Sequence, residues 1–246
     1  MNRPQDFIPP DLLFYVSAPH TCSYLEQQEA ITLFADPKAH MTTQLYSALS
    51  DLGFRRSGEY VYAPRCLACS ACLPARIPVS SYRPNRSQRR NWKRNQDLKA
   101  SVLPAEFRQS HFSLYQSYMA SRHPDGSMAT PDPEQYNRFF NSTWCDTRYV
   151  EFSLDDTPLA MCIVDVLTHG LSAVYTFFDP AVAERGLGVY AVLWLIEEAK
   201  RRGLPYVYLG YLIHESPKMA YKAQYRPLEV FRDGKWQILE RTEEEN

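Results

Sequence analysis

Three cysteines at every third position, Cys66, Cys69 and Cys72 in PRCLACSACLPARI, are the first side chains here whose type and spacing could do chemistry. A C-x-x-C-x-x-C run puts three thiolates on one short loop, a donor set for a soft metal or an iron–sulfur cluster. Closing such a site takes a fourth ligand. Cys22 in HTCSYL is the natural choice and His20 the second. The plainer alternative is three small side chains packed in a core. No histidine adjoins the run in sequence to activate one thiolate as a nucleophile. Cys145 and Cys162 lie in apolar surroundings and read as core residues.

The second group is cationic. In NRSQRRNWKRNQDLKA, Asn85 with Gln88 three residues on is the pattern of a capping box. Arg86, Arg89, Arg90, Lys93 and Arg94 then fall at i, i+3, i+4, i+7 and i+8, one stripe of a helix. The sign is uniform until Asp97, whereas a merely solvated face usually mixes signs. Beyond Trp92 and Leu98 there is little to bury, so the stripe faces solvent or a ligand. A phosphate backbone is the ligand that suits it, with a plain solvated face as the alternative.

Two further stretches follow. AERGLG, Ala183 to Gly188, is a strand–turn–helix whose backbone N–H groups near Gly186 and Gly188 could hold a phosphate or an acyl carbonyl. An acetyl-CoA loop would read Q/R-x-x-G-x-G/A. Here its first slot is Ala183, so the match is partial, and a plain helix start explains it equally well. GYLIHESPKMAYKAQYRPLE carries Lys218, Lys222 and Arg226 among Tyr211, Tyr221 and Tyr225. Cations at the end of a strand could receive a carboxylate, or be surface lysines over tyrosine packing.

These groups need elements to position them. The chain has 246 residues, 45% of them hydrophobic, enough for one large domain or two small ones. Net charge is −1, so any nucleic-acid surface must be local. No basic n-region precedes an apolar run, and no stretch approaches ~18 apolar residues, so neither a secretory signal nor a membrane span is expected. Six cysteines without a signal point to a reducing compartment.

A helix is expected from Asp36–Pro37 to a stop at Gly53, then a strand in EYVYA, the cysteine run, an extended RIPVSSY and the cationic helix. Beyond Pro104, two helices cover SLYQSYMASRH and EQYNRFFNSTW, separated by a turn-rich HPDGSMATPDP. RYVEFSL, LAMCIVDVL and LSAVYTFF then read as hairpin-linked strands, VYAVLWLIEEAKRRG as a helix and LPYVYLGYL as a fourth strand. The tail RTEEEN is acidic. The expected class is α+β: an acetyltransferase-like (GNAT-type) mixed sheet with flanking helices, plus an N-terminal cysteine-containing region. The expected division is 1–104 for that region and the basic helix, and 105–246 for a transferase domain.

CSYL, GFRRSGEYVYAP, CLACSACLPARI, RPNRSQRRNWKRNQDL, VYTFFDP and YLGYLIHESPKMAYKAQYRPLE, in this order, resemble the aminoacyl-tRNA–protein transferases, in their bacterial leucine-transferring branch. The likeness runs from about Ser17 to Trp236. It implies a cytoplasmic enzyme of the N-degron pathway of protein degradation, whose partners are leucyl-tRNA and proteins with N-terminal Asp or Glu. The longer eukaryotic relatives transfer arginine and carry a C-x-x-C pair with a later adjacent pair. Here Leu25 replaces the second member of the first pair, while Cys66, Cys69 and Cys72 stand for the later one. A structural or sensory zinc or iron–sulfur cluster on Cys22, Cys66, Cys69 and Cys72 is therefore an expectation, and the chemistry itself requires no cofactor. For that reaction, Arg86, Arg89, Arg90, Lys93 and Arg94 are expected to hold acceptor-stem phosphates. Gly186 and Gly188 would seat the aminoacyl end. Lys218 and Lys222, with Arg76 and Arg56, would receive the acidic side chain. Asp165 or Asp179 would accept the amine proton, Asp179 serving equally well as a cap before Pro180. An arginyl donor in the same reaction and an acyl-CoA-dependent N-acyltransferase are the alternatives.

Overall fold

The computed structural model describes residues 7–122 and 131–240. RTEEEN and most of HPDGSMATPDP lie outside the described residues. Four short strands come first: β1 (Phe14–Val16), β2 (His20–Thr21), β3 (Glu29–Ala30) and β4 (Thr32–Ala35). Helix α1 (Thr43–Asp51) starts later than Asp36–Pro37 suggested, because the Thr42 hydroxyl accepts the Leu45 N–H at 3.1 Å and so caps it. Asp36 closes a turn onto the Lys38 N–H instead. Gly53 ends α1 as expected: its φ is +90°, and a Cβ there would meet Pro74 Cγ at 2.8 Å.

Strands β5 (Arg55–Ser57), β6 (Tyr60–Pro64) and β7 (Leu73–Pro78) follow, then α2 (Arg86–Arg94) and β8 (Lys99–Pro104). Next are α3 (Gln109–Arg122), α4 (Pro133–Phe140), β9 (Thr147–Leu154), β10 (Thr157–Leu167) and β11 (Gly170–Phe178). A 3₁₀ turn over Pro180–Arg185 leads into α5 (Leu187–Arg201). The chain ends with β12 (Tyr206–Leu212), the short α6 (Pro217–Ala220), a 3₁₀ turn over Tyr221–Gln224, β13 (Glu229–Arg232) and β14 (Lys235–Ile238).

The fold is α+β around one large mixed sheet, ordered β14-β13-β7-β12-β11-β10-β9-β8. Strands β1, β4, β6 and β5 make a second sheet. Strand parity builds the layers. On β10, Ala160, Cys162 and Val164 face the core under α5, while Met161 and Ile163 face an aromatic core with Tyr115, Tyr136, Phe140 and Phe177. Leu195 and Ile196 of α5 are fully enclosed, and truncating either to Ala would cost about 2–5 kcal/mol. The division at Pro104 does not separate two sheets. Strands β7 and β8, which precede it, pair into the same sheet as β9–β12.

One joint in this sheet matters most. Strands β11 and β12 are parallel and pair only at Gly170–Ser172 with Tyr206–Tyr208. Beyond that point each strand carries an extra residue against its outer partner, Val174 on β11 and Leu209 on β12, and Gly210 takes φ +77°. Bulges bend and twist strands. The two strands therefore part toward their C-terminal ends, leaving a wedge between them. Open α/β sheets bind ligands at such carboxyl ends.

Candidate functional site

Helix α2 forms with the expected capping box: the Asn85 carboxamide accepts the Gln88 N–H, and Gln88 Oε1 accepts the Asn85 N–H. Its inner face is Gln88, bonded to Tyr82 Oη and the Gln224 carbonyl, and Trp92, whose ring lies 5.3 Å from that of Tyr190 on α5. Arg86, Arg89, Arg90, Lys93 and Arg94 are all exposed on the opposite side.

This helix is docked on the Ala183–Gly188 turn, two features that the sequence presented separately. Asn91 Nδ2 donates to the carbonyls of Arg185 and Gly186 at 2.9 and 3.0 Å, and Asn95 Nδ2 donates to Arg185 at 2.9 Å. Arg94 Nη1 reaches the Glu184 carbonyl, and Arg185 pairs bidentately with Asp97 at 2.8 and 2.9 Å. Those hydrogen bonds hold the Asp97 carboxyl below its ordinary range. Gly186 is fixed by this contact. Its φ is +63°, and a Cβ would press on Asn91 Nδ2 at 2.7 Å. Gly186 also begins α5 with no side-chain cap, so the first N–H groups of that helix carry its positive dipole end uncapped. Gly188 lies against Phe178, the last residue of β11.

The four expected thiols are all part-exposed, and Cys22, Cys66 and Cys69 lie close enough to Cys72 to act on its charge. Burial, then Cys22, Cys66, Cys69 and Glu215 in turn, push the Cys72 thiol up to about 12. A thiol so perturbed is a poor nucleophile at neutral pH. Among the described residues, no three His, Cys, Asp or Glu side chains meet in an arrangement that could hold a metal ion. Cys162 is fully buried and bonded to Thr176 Oγ1, as expected of a core residue, and Cys145 packs beside the N-terminal core.

Three residues expected to meet substrate are spent within the fold. Arg56 and Asp165 are each 0% exposed and joined through Nε–Oδ2 and Nη2–Oδ1, both at 2.6 Å. Thr147 Oγ1 donates to Asp165, and Arg56 reaches the Phe140 and Gly58 carbonyls. Burial opposes the Arg56 charge, but Asp165 more than restores it, leaving its pKa above the ordinary arginine value. With both partners sealed and satisfied, neither Asp165 as proton acceptor nor Arg56 as receptor has an open side. Arg76 is likewise internal. It pairs with Glu229 at 2.7 Å and Asp51 at 3.5 Å, between the rings of Tyr206 and Trp236. Asp179 caps the 3₁₀ turn, accepting the Ala181 N–H at 2.9 Å, and stays partly open to solvent.

The two lysines differ. Lys218 is exposed on α6. Lys222 is 4% exposed and donates to the Tyr211 carbonyl at 2.7 Å and to Met219 Sδ. Burial, then the field of Arg55, lowers its pKa to about 8, against a smaller opposing effect of Cys72.

Arg55 was not singled out in the sequence. It is 5% exposed, with Nη1 bonded to the Ser50 and Phe54 carbonyls and its guanidinium over the rings of Tyr208 and Tyr211 at 5.3 and 6.0 Å. Its Nε and Nη2 are buried without a partner among the described residues. The available signal was the doublet Arg55–Arg56 on a strand, which must send consecutive side chains to opposite faces.

Residues 20–90 match the family described as Arginine-tRNA-protein transferase, N terminus, and residues 110–232 match its C terminus. An aspartate/glutamate leucyltransferase of Nitrosococcus oceani is 56% identical over 230 residues, covering 93% of this chain and 97% of that protein. Its namesake in Hahella chejuensis is 48% identical over 225 residues, covering 92% and 96%. Among solved structures, L-PGS of Bacillus licheniformis superposes with a TM-score of 0.49 at 11% identity, covering 77% of this chain and 65% of that one. FemX gives 0.44 at 9%, covering 74% and 63%.

Proposed function

The chain belongs to the arginine-tRNA-protein transferase family, and from that premise we propose that it moves leucine from leucyl-tRNA to the N-terminal Asp or Glu of target proteins, a reading supported by relatives that carry the name aspartate/glutamate leucyltransferase. The observation that carries this reading is the docking of an exposed cationic helix onto the turn that opens α5, beside the β11–β12 wedge. A polyanion tracked by Arg86, Arg89, Arg90, Lys93 and Arg94 would end at that turn. The acetyltransferase-type reading of the sheet belongs to the same proposal, supported by the order β9-β10-β11-α5-β12 and by the wedge.

The reaction is aminolysis of an ester. The target's α-amine nitrogen attacks the leucyl carbonyl carbon. A C–N bond forms, the ester C–O bond breaks, and the proton lost by the amine ends on the departing ribose oxygen. The ester is already activated, so no step needs a metal or coenzyme. An α-amine pKa of ~7.7–8.0 leaves a useful neutral fraction at pH 7. Alignment is the protein's main contribution, worth roughly 7–11 kcal/mol in favourable intramolecular cases. The uncapped N–H groups near Gly186 and Gly188 are suited to polarise the carbonyl. With Asp165 enclosed in its ion pair, Asp179, partly open to solvent, is the proposed proton acceptor. Lys222 is the proposed acid-binding cation with donor capacity to spare, and Lys218 lies outside it on α6.

A zinc or iron–sulfur group on the four cysteines would act as support for the loop, and it requires the thiols to close up from their present arrangement. Metal analysis of the purified protein tests that. No helix among the described residues is long and apolar enough to cross a membrane, and a cytoplasmic enzyme fits tRNA as donor.

One assay tests the function: labelled leucyl-tRNA and arginyl-tRNA offered separately with peptides starting Asp, Glu, Lys or Ala. Transfer of leucine to the Asp and Glu peptides alone is expected. Transfer of arginine in its place would reassign the donor, and no transfer from either tRNA would overturn the proposal.

A further inference from the structure

Arg55 and Arg56 are consecutive on β5, both buried, and differ in one respect. Arg56 presents its Nε–Nη2 edge to the two oxygens of Asp165. Arg55 has the same edge enclosed and, among the described residues, empty-handed, because its two hydrogen bonds to them come from Nη1. That edge is a planar fork whose two parallel N–H donors match the oxygens of a carboxylate. Leaving a buried charge so underserved is costly, and native structures rarely do so without a use for it.

A second cation stands nearby. Lys222 comes from the 3₁₀ turn after α6 and is held by the carbonyl of Tyr211, the residue whose ring lies under the Arg55 guanidinium. The Tyr211 hydroxyl is occupied by the Gly53 and Tyr62 carbonyls, so the tyrosine is a fixed wall between the two sheets. Tyr62 lies across it, ring centroids 6.2 Å apart, and is part-exposed. Two enclosed cations with aromatic walls, and no ion pair to an Asp or Glu for either among the described residues, describe half of an ion-pair site.

We propose that the Nε–Nη2 edge of Arg55, assisted by Lys222, is the receptor for the side-chain carboxylate of the target's N-terminal Asp or Glu. This rests on the transferase reading above and adds to it the residue that selects acidic N-termini. Asp165 on Arg56 shows the binding mode within the same strand. The neutral amide of Asn would leave both cations underserved, so it should be rejected far more strongly than its size suggests. Arg55 is a specificity-determining residue, and no bond is made or broken on it.

The test uses the full-length protein, with Arg55→Met and Arg55→Lys. In transfer assays, Arg55→Met should lower kcat/KM for an Asp-starting peptide by about 100-fold, mostly through KM, as expected when one partner of an enclosed charge pair is removed. KM for leucyl-tRNA should not move, and the unfolding midpoint should stay or rise. Arg55→Lys should recover part of the loss. Equal losses toward peptide and tRNA with a lowered unfolding midpoint would make Arg55 structural, and unchanged kinetics would also overturn the proposal. Calorimetric titration of Asp-starting and Asn-starting peptides into tRNA-free protein separates the proposal from the transferase reading. A strong preference for Asp that Arg55→Met erases upholds the receptor even if the donor were another aminoacyl-tRNA. Equal binding of the two peptides removes the receptor even if leucyl transfer is observed.

Discussion

Arg55 and Arg56 make a controlled experiment within one strand. They share residue type, burial and backbone, and the pleat sends them to opposite sides of β5. On one side, Asp165, Thr147 and two carbonyls answer Arg56 completely. On the other, tyrosine rings and two carbonyls leave a guanidinium edge unanswered. A satisfied buried charge holds elements together, here β5 to β10 and to the end of α4. An unsatisfied one contributes little to stability and is kept for something that arrives later.

The contrast can be broken from either side. Asp165→Ala should have the largest effect. It strands the Arg56 charge in the interior, at a cost of about 3–5 kcal/mol, read as a drop in the urea midpoint. A loss under about 1 kcal/mol would show that the pair is not structural. Lys222 should behave like Arg55, as a cation stored at a cost. Its folded pKa of about 8 lies below that of the unfolded chain, so the penalty is in full force below pH 8 and is relieved as pH rises from there toward 10.5. The stability of the native protein relative to Lys222→Met should therefore climb by up to about 3 kcal/mol between pH 7 and 10.5, measured by denaturant unfolding at both values. A flat difference would mean that the ammonium is solvated.

Exposed cations sharpen the contrast from outside. Reversing Arg89, Arg90 and Lys93 to Glu should cost about 100-fold or more in leucyl-tRNA affinity and flatten its log–log salt dependence by about 3. Folding should be untouched, since these side chains lie in water. Unchanged binding would remove the stripe from the tRNA path. Smallest of all should be the effect of Arg55→Met on stability, within about 1 kcal/mol or a gain, read by thermal unfolding. A loss as large as that of Asp165→Ala would erase the difference between the two arginines.

What the sequence disclosed follows from the range of the interactions. The capping box at Asn85–Gln88 and the cationic stripe are local, and both appear where the spacing put them. The run from β9 to β12 was legible because each strand carries its own apolar pattern and the connections are short. Strand β8 was hidden. KASVLP follows a basic helix, and its exposed alternate residues give little apolar signal. Of the short N-terminal strands, β4 exists through pairing with β6, some thirty residues away, and β1 through pairing with β4. The fates of the arginines were equally out of reach. Arg56 meets a carboxylate 109 positions on, and Arg76 meets one 153 positions on. No local pattern distinguishes them from Arg55. Asp165 looked available only because its partner was not visible beside it.

Asn91 sets a limit on tolerances. A bound tRNA is far larger than the single carbonyl carbon that must be placed to within a fraction of a bond length. Between the proposed phosphate grip on α2 and the turn at Gly186, the links include one carboxamide making two hydrogen bonds. Any slack there would be carried, undiminished, from the grip to the reacting ester. A Cβ at position 186 would force such slack, so this glycine functions as a datum from which the donor's position is measured.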